Sequence, residues 1–203
     1  MNNKRYQENG GVVPKPGSNQ LGTCGRGTTM ASKRKVGDVF SIDLYNGRFG
    51  GAQVIKTENA GLFWLAAVAE QFDVRSEINA VRLFSATPVI FVETMETLLK
   101  RGDWRVEDWS EKLVTEYRPA FKRHYFPGGT YVADLFQDRQ YPLDPLKESQ
   151  ISGLPNEFSR SPMGVALTIG RYTTRDDWRE EDEKLLIKPE WDVRNFFDWG
   201  LNV

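Results

Sequence analysis

The sequence predicts an α+β fold, a twisted and mostly antiparallel sheet with short helices packed on it. Three observations carry that reading. VFSIDLY at 39–45 alternates Phe40, Ile42 and Leu44 with Ser41 and Asp43, the period of a strand with one buried face. A second apolar run, AQVIKTE, begins only after NGRFGG, so the two are joined as a hairpin: Asn46 and Gly47 tolerate positive φ, and Gly50-Gly51 can absorb a bulge or the close approach of another segment. The remaining helical signals are short and scattered among further strand signals, which favours a meander, able to curl toward an SH3-like barrel.

The same glycine-rich stretch, GDVFSIDLYNGRFGGAQVI, has the look of a phosphate loop but lacks its spacing. Neither G-x-G-x-x-G nor G-x-x-x-x-G-K-[ST] leading into a helix is present, so the stretch reads as a turn. GLFWLAAVAEQF at 61–72 gives a third strand, and Pro88 opens a fourth, PVIFV, where a missing N–H does least harm. ETMETLLKR from Glu93 reads as a short helix stopped by Gly102, followed by a strand in DWRVEDW. GGTYVADLF at 128–136 is another strand after a Pro127-Gly128-Gly129 turn, and LDPLKESQISGLP suggests a helix capped by Asp144 and ended by Gly153. MGVALTIGRY reads as a strand. Thr173 or Thr174 is then expected to cap a helix over DDWREEDEKLL, and PEWDVRNFFDW to form a closing helix with Pro189 near its start.

Composition bounds the function. The 203 residues are 39% hydrophobic with six Trp and twelve Phe, enough for a sizeable core. The longest apolar run, LFWLAAVA, is eight residues, short of the roughly 18 needed to span a bilayer, so no membrane association is expected. The polar start MNNKRYQENGG carries no secretory signal, and the single Cys24 permits no intramolecular disulfide, so a cytoplasmic location is the expectation. Residues 1–35 have almost no large apolar side chains and are expected to form a disordered or leader tail ahead of one domain at 36–203, with Met30 an alternative start. Lys4, Arg5, Lys15 and Arg26 oppose Glu8 alone in residues 1–29; without them 23 basic residues face 27 acidic ones, a net charge of -4. An acidic body disfavours nucleic acid and favours a basic partner.

K-x-G-D-V-F-x-I-x-L followed by N-G-R-F-G-G-A-Q-V-I, an aromatic-aliphatic strand, P-x-x-F-V and G-D-W-R-V resembles the Immunity protein 26 family of bacterial polymorphic toxin systems. The resemblance spans about residues 35–110 and is strongest at 35–56. It implies an α+β domain that neutralises a cognate toxin by direct binding, and it brings no catalytic residues.

The chemistry legible in the residues themselves agrees with a non-enzymatic role. His124 is the only histidine and Cys24 sits in the tail, so neither a Ser-His-Asp nor a Cys-His arrangement is assembled, and no cluster with metal-ligand spacing occurs. No cofactor or metal is expected. Adjacent carboxylates such as Glu107-Asp108 read as a solvated face rather than an acid and base. Arg48 beside Phe49 could stack on a base, but basic residues do not cluster elsewhere to follow a nucleic-acid backbone. Between 174 and 183 six acids, Asp176, Asp177, Glu180, Glu181, Asp182 and Glu183, surround Trp178 against Arg175 and Arg179. In its plain form this is a solvated helix with Trp178 and Leu185 facing the core. An acidic face with an aromatic anchor is also what a binder of a basic nuclease groove presents, and the partner-binding residues expected here are Asp176, Asp177, Trp178, Glu180, Glu181 and Asp182. The other reading of the fold is a small-ligand or nucleic-acid binding module on an SH3-like barrel, with the hairpin loop as its contact. The oligomeric state is left open by the sequence.

Overall fold

The hairpin forms where the sequence places it. In the computed structural model, which describes residues 34–125, 129–134, 139–142, 151, 154 and 159–199, β1 (Asp38–Asp43) pairs antiparallel with β2 (Phe49–Thr57). The connection uses Gly47 at φ 84° as expected, but the other left-handed residue is Tyr45 at φ 60° rather than Asn46. Two side chains hold it: Asp43 Oδ1 accepts from the Tyr45 N–H at 2.8 Å and Asn46 Oδ1 from the Arg48 N–H at 3.0 Å.

β3 (Leu62–Phe72) and β4 (Pro88–Met95) extend the meander, and β5 (Trp104–Trp109) returns to pair with β1 on the other side, giving the order β4-β3-β2-β1-β5. The sheet is open and antiparallel, not a barrel: β4 and β5 are its two edges. A second antiparallel sheet has the order β6 (Ala120–Tyr125), β7 (Gly129–Asp134), β8 (Arg139–Pro142). β7 is the strand expected in GGTYVADLF; β6 and β8 lack a legible alternation. Residues Lys33–Val203 form one compact unit.

Both faces of the large sheet are covered, which is why Val39 through Ile42 are all fully buried although successive side chains point opposite ways. On one face Phe40, Ile42, Val54, Phe63, Leu65, Val92 and Trp104 pack beneath α3 (Pro162–Thr174), joined by Leu98 of the short α2 (Thr97–Arg101). On the other, Val39, Val68 and Phe72 meet Leu83 of α1 (Ala80–Ser85) and Ile78 just before it, while Ile55, Trp64 and Phe91 meet Tyr117, Phe121 and Ala133, residues in and beside the small sheet.

Gly50 and Gly51 make this layering sterically allowed. A β-carbon on Gly50 would lie 2.8 Å from Ile169 Cγ2 of α3, and one on Gly51 would lie 2.9 Å from Leu83 Cδ1 of α1. The β2–β3 register also slips between Gly50 and Ala52. The pair thus provides both the bulge and the close approach that its sequence suggests.

Several expectations are corrected. Residues 163–172 are not a strand but most of α3. Ser161 caps it, accepting from the Gly164 N–H at 3.1 Å, Pro162 occupies its first turn, and Val165, Ala166 and Ile169 fall on one buried stripe. β-branched residues and two glycines hide that helix in a propensity reading. Thr173 and Thr174 therefore end a helix instead of starting one, and the expected acidic helix contracts to α4 (Glu180–Glu183). The closing helix is two 3₁₀ turns, Pro189–Trp191 and Val193–Trp199, broken at Asp192, whose backbone is extended. Glu93–Met95 belong to β4, with the helix after them closed by Gly102 at φ 84°. The helix suggested in LDPLKESQISGLP lies largely outside the described residues.

The glycines make a sharp comparison. A β-carbon at Gly47 would meet nothing within 4 Å, so Gly47→Ala should cost only the left-handed backbone penalty, about 1–2 kcal/mol, and Gly47→Asn less. Gly50→Ala, at an ordinary φ, should destabilise more than Gly47→Ala because Ile169 must move out of a packed core. Urea midpoints of the three variants test the order; equal losses at 47 and 50 would contradict it.

Candidate functional site

The acidic segment is a reversing turn with a buried anchor. α3 ends on Arg175, whose N–H donates to the Arg171 carbonyl at 2.7 Å and whose φ is 60°; Asp177 follows at φ 55°. Two left-handed residues within three fold the chain back on itself, which stops α3 and separates it from α4. The Arg175 guanidinium lies 4.6 Å over the Tyr172 ring and 4.2 Å over the Trp178 ring, and those two rings meet edge to face at 6.1 Å. Trp178 Nε1 donates to Glu183 Oε1 at 2.6 Å, and Arg175 Nη1 lies 3.6 Å from the same oxygen. Stacking, cation–π attraction and a charge-assisted hydrogen bond therefore fix the turn.

Asp182 is the second anchor, and it corrects the expectation that it faces a partner. It is 2% exposed. Its Oδ1 accepts from Thr168 Oγ1 at 2.6 Å, and its Oδ2 accepts from Arg171 Nη1 at 3.3 Å and from the Arg179 N–H at 3.1 Å, with Arg160 Nη2 3.8 Å from Oδ1. One carboxylate thus ties α4 to α3 and to the segment that enters α3. Trp178 is half-buried against Tyr172 and Arg175 rather than in the main core, where Leu185 does sit. Asp176, Asp177, Glu180 and Glu181 are exposed, and among the described residues none forms an ion pair. The structure brings these four together as a solvent-facing acidic surface, held by the two expected residues that do not share it fully, Trp178 and Asp182.

The hairpin is not a free basic contact. Arg48 Nε donates to Asp73 Oδ1 at 3.1 Å and its Nη2 to the Gln71 carbonyl at 3.0 Å, so the guanidinium is tied to the end of β3. Arg75, not Arg48, sits over the Phe49 ring, at 4.4 Å. His124 lies in β6, paired in register with Thr130. Among the described residues no three His, Cys, Asp or Glu side chains are grouped to hold a metal ion, and no helix is long and apolar enough to cross a membrane.

Sequence reasoning missed an open cavity of about 410 Å³, lined by Tyr117, Ile187, Pro189, Asp192, Arg194 and their neighbours. Asp192, Glu116 and Arg194 are its charged lining. Arg194 grips Asp192 through Nε at 2.8 Å and Nη2 at 2.7 Å, and the Arg118 N–H donates to the same carboxylate at 3.3 Å. Burial pushes the Asp192 pKa up, but the Arg194 side chain, the Arg194 N–H and the Arg118 N–H outweigh it and hold the group below the ordinary carboxylate range. Burial pushes the Tyr117 phenol up. The Asp192-x-Arg194 spacing is visible in the sequence, but Arg118 lies 74 residues away and gives no local signal.

No family model matches the chain, and neither a curated protein nor a solved structure does.

Asp182 and Asp177 should separate anchor from surface. Asp182→Ala leaves Thr168, Arg171 and the Arg179 N–H without their acceptor and should cost about 3 kcal/mol or more, whereas Asp177→Asn, compatible with positive φ, should stay within about 0.5 kcal/mol of the parent. Denaturant curves read both, and similar midpoints would show that Asp182 is not an anchor. Asp192 gives a pH signature. Its depressed folded-state pKa contributes stability present above the unfolded value, about 3.9, and lost as pH falls through the folded value, so the loss falls below about pH 4. Asp192→Asn should flatten that acid limb; an unchanged limb would place the depressed carboxylate elsewhere.

Proposed function

We propose that this chain is an immunity protein that neutralises a cognate bacterial toxin by direct binding, without catalysis. The observation that carries the reading is the exposed acidic surface of Asp176, Asp177, Glu180 and Glu181, whose backbone is held in one shape by Asp182 and by the Tyr172–Arg175–Trp178 stack. A charged surface fixed before encounter loses little conformational freedom on binding and steers a partner of opposite sign. The partner is therefore a protein with a basic surface, a nuclease domain being the natural class, since a groove that binds nucleic acid is basic. The resemblance of residues 35–110 to the Immunity protein 26 family points the same way. A cytoplasmic location fits this reading, because the toxin acts where its target lies.

The second reading, a ligand-binding module on an SH3-like barrel, has less support: the sheet is open and Arg48 is engaged by Asp73 and Gln71.

Where a toxin domain is encoded beside this chain, coexpression of the two should restore growth and yield a stable complex. Reversing Asp176, Glu180 and Glu181 to Lys, with Asp177→Asn to keep its positive φ, should slow association at low salt by about tenfold or more and weaken its salt dependence, with folding nearly unchanged. Stopped-flow association at two ionic strengths reads this. A wild-type rate at low salt would move the contact away from the acidic turn, and failure of the wild-type chain to protect against the adjacent toxin would overturn the proposal.

A further inference from the structure

The two edges of the five-stranded sheet are finished differently. β4 is covered by the chain itself: the Phe91 N–H donates to the Leu185 carbonyl at 2.8 Å, the Ile187 N–H to the Val89 carbonyl at 2.8 Å and the Arg160 N–H to the Glu93 carbonyl at 2.9 Å. β5 pairs with β1 on one side and, among the described residues, with no strand on the other. Arg105, Val106, Glu107 and Trp109 are exposed along it, and Val106 and Trp109 are large apolar side chains at 41% and 46% exposure. An uncovered edge is a template for a further strand.

The register says which groups that edge offers. The Asp43 N–H donates to the Asp103 carbonyl at 3.3 Å, which makes 43 and 103 a hydrogen-bonded pair. Pairs alternate along an antiparallel ladder, so Ser41 and Arg105 bond each other, while Trp104 and Val106, opposite Ile42 and Phe40, turn their N–H and C=O groups outward. Beyond Val106 the register slips, Val39 facing Asp108 and Phe40 facing Val106, so Glu107 is a bulge residue. The bulge and the alternating charges block most added strands.

One register they leave open is self-pairing. We propose that β5 is the interface of a two-fold homodimer in which the β5 strands of two copies pair antiparallel about Val106. Val106 then meets the partner's Val106 through the outward backbone groups, and Arg105 faces the partner's Glu107, twice over by symmetry. Both charges are available. Arg105 makes no ion pair among the described residues, its Nε reaching only the Gly102 carbonyl at 3.4 Å, and Glu107, exposed, accepts from the Ser41 hydroxyl with Oε1, leaving Oε2. Opposite charges directly across a ladder stabilise it, and like charges there oppose it, so the strand's own order Arg-Val-Glu selects a second copy. The contact is short, which makes the dimer weak and concentration-dependent.

Sedimentation velocity of the full chain over a range of concentrations at low salt tests this. The mass should rise from 23.2 kDa toward twice that value and fall back on adding salt. Arg105→Glu, which sets a second carboxylate against the partner's Glu107, should weaken the dimer by about tenfold or more. Val106→Pro should abolish it by removing an outward N–H that β1 does not use. Circular dichroism and the urea midpoint should show both variants folded. A chain that stays at 23.2 kDa at every concentration overturns the proposal, as does a folded Arg105→Glu variant that dimerises like the parent, or an edge that accepts a strand only from a foreign partner.

Discussion

The layered structure rests on two missing β-carbons. β2 lies at the centre of the large sheet with a helix over each face, and at Gly50 and Gly51 those helices come within contact of its backbone, Ile169 of α3 from one side and Leu83 of α1 from the other. Successive residues of a strand face opposite ways, so adjacent glycines are what allow two elements to approach the same point from both sides. Filling either position pushes a helix outward and opens the interior of a core that is close-packed elsewhere. What a nucleotide-binding protein would use to admit a phosphate, this one uses to admit its own side chains.

Buried polar groups then fix how loops attach to that sandwich. Gln53 is fully buried in β2 and uses its whole amide: Nε2 donates to the Lys112 carbonyl at 2.9 Å, with the Gly37 carbonyl at 3.4 Å, and Oε1 accepts from the Val114 N–H at 2.7 Å. It clips the segment after β5 to the centre of the sheet. Gln71 does the same for the end of α3, donating to the Gly170 carbonyl at 3.0 Å. Such bonded amides, with Gln53 satisfied at both ends, add specificity where an apolar side chain would leave several backbone groups unpaired.

What was legible in the sequence was local. The hairpin, its glycines, the third and fourth strands and the strand before Trp109 announce themselves through periodicity and turn residues within a few positions. α3 was not legible as a helix because Val165, Thr168 and Ile169 are β-branched and Gly164 and Gly170 lower helix propensity, whereas its cap, Ser161 followed by Pro162, lies just outside the apolar run. Long-range pairings gave no signal at all. Gln53 meets Val114 61 residues away, and Asp182 looked identical to its exposed neighbours until Thr168 and Arg171 were folded over it. Six acids in ten residues are one composition but two kinds of side chain.

That division bears on how the acidic turn works. If all six carboxylates faced water, the segment would repel itself and adopt many shapes, and ordering it against a partner would cost conformational entropy at the moment of binding. Instead Asp182 is neutralised inward by Arg171 and Arg160, and Glu183 is held by Trp178 and Arg175. Two carboxylates thus become the scaffold on which Asp176, Asp177, Glu180 and Glu181 are displayed. The energy that fixes the surface comes from contacts made on folding, so little ordering is left for the encounter proposed above. In this turn the buried carboxylate is saturated by donors and the exposed ones are free, the distribution that the proposed binding role calls for.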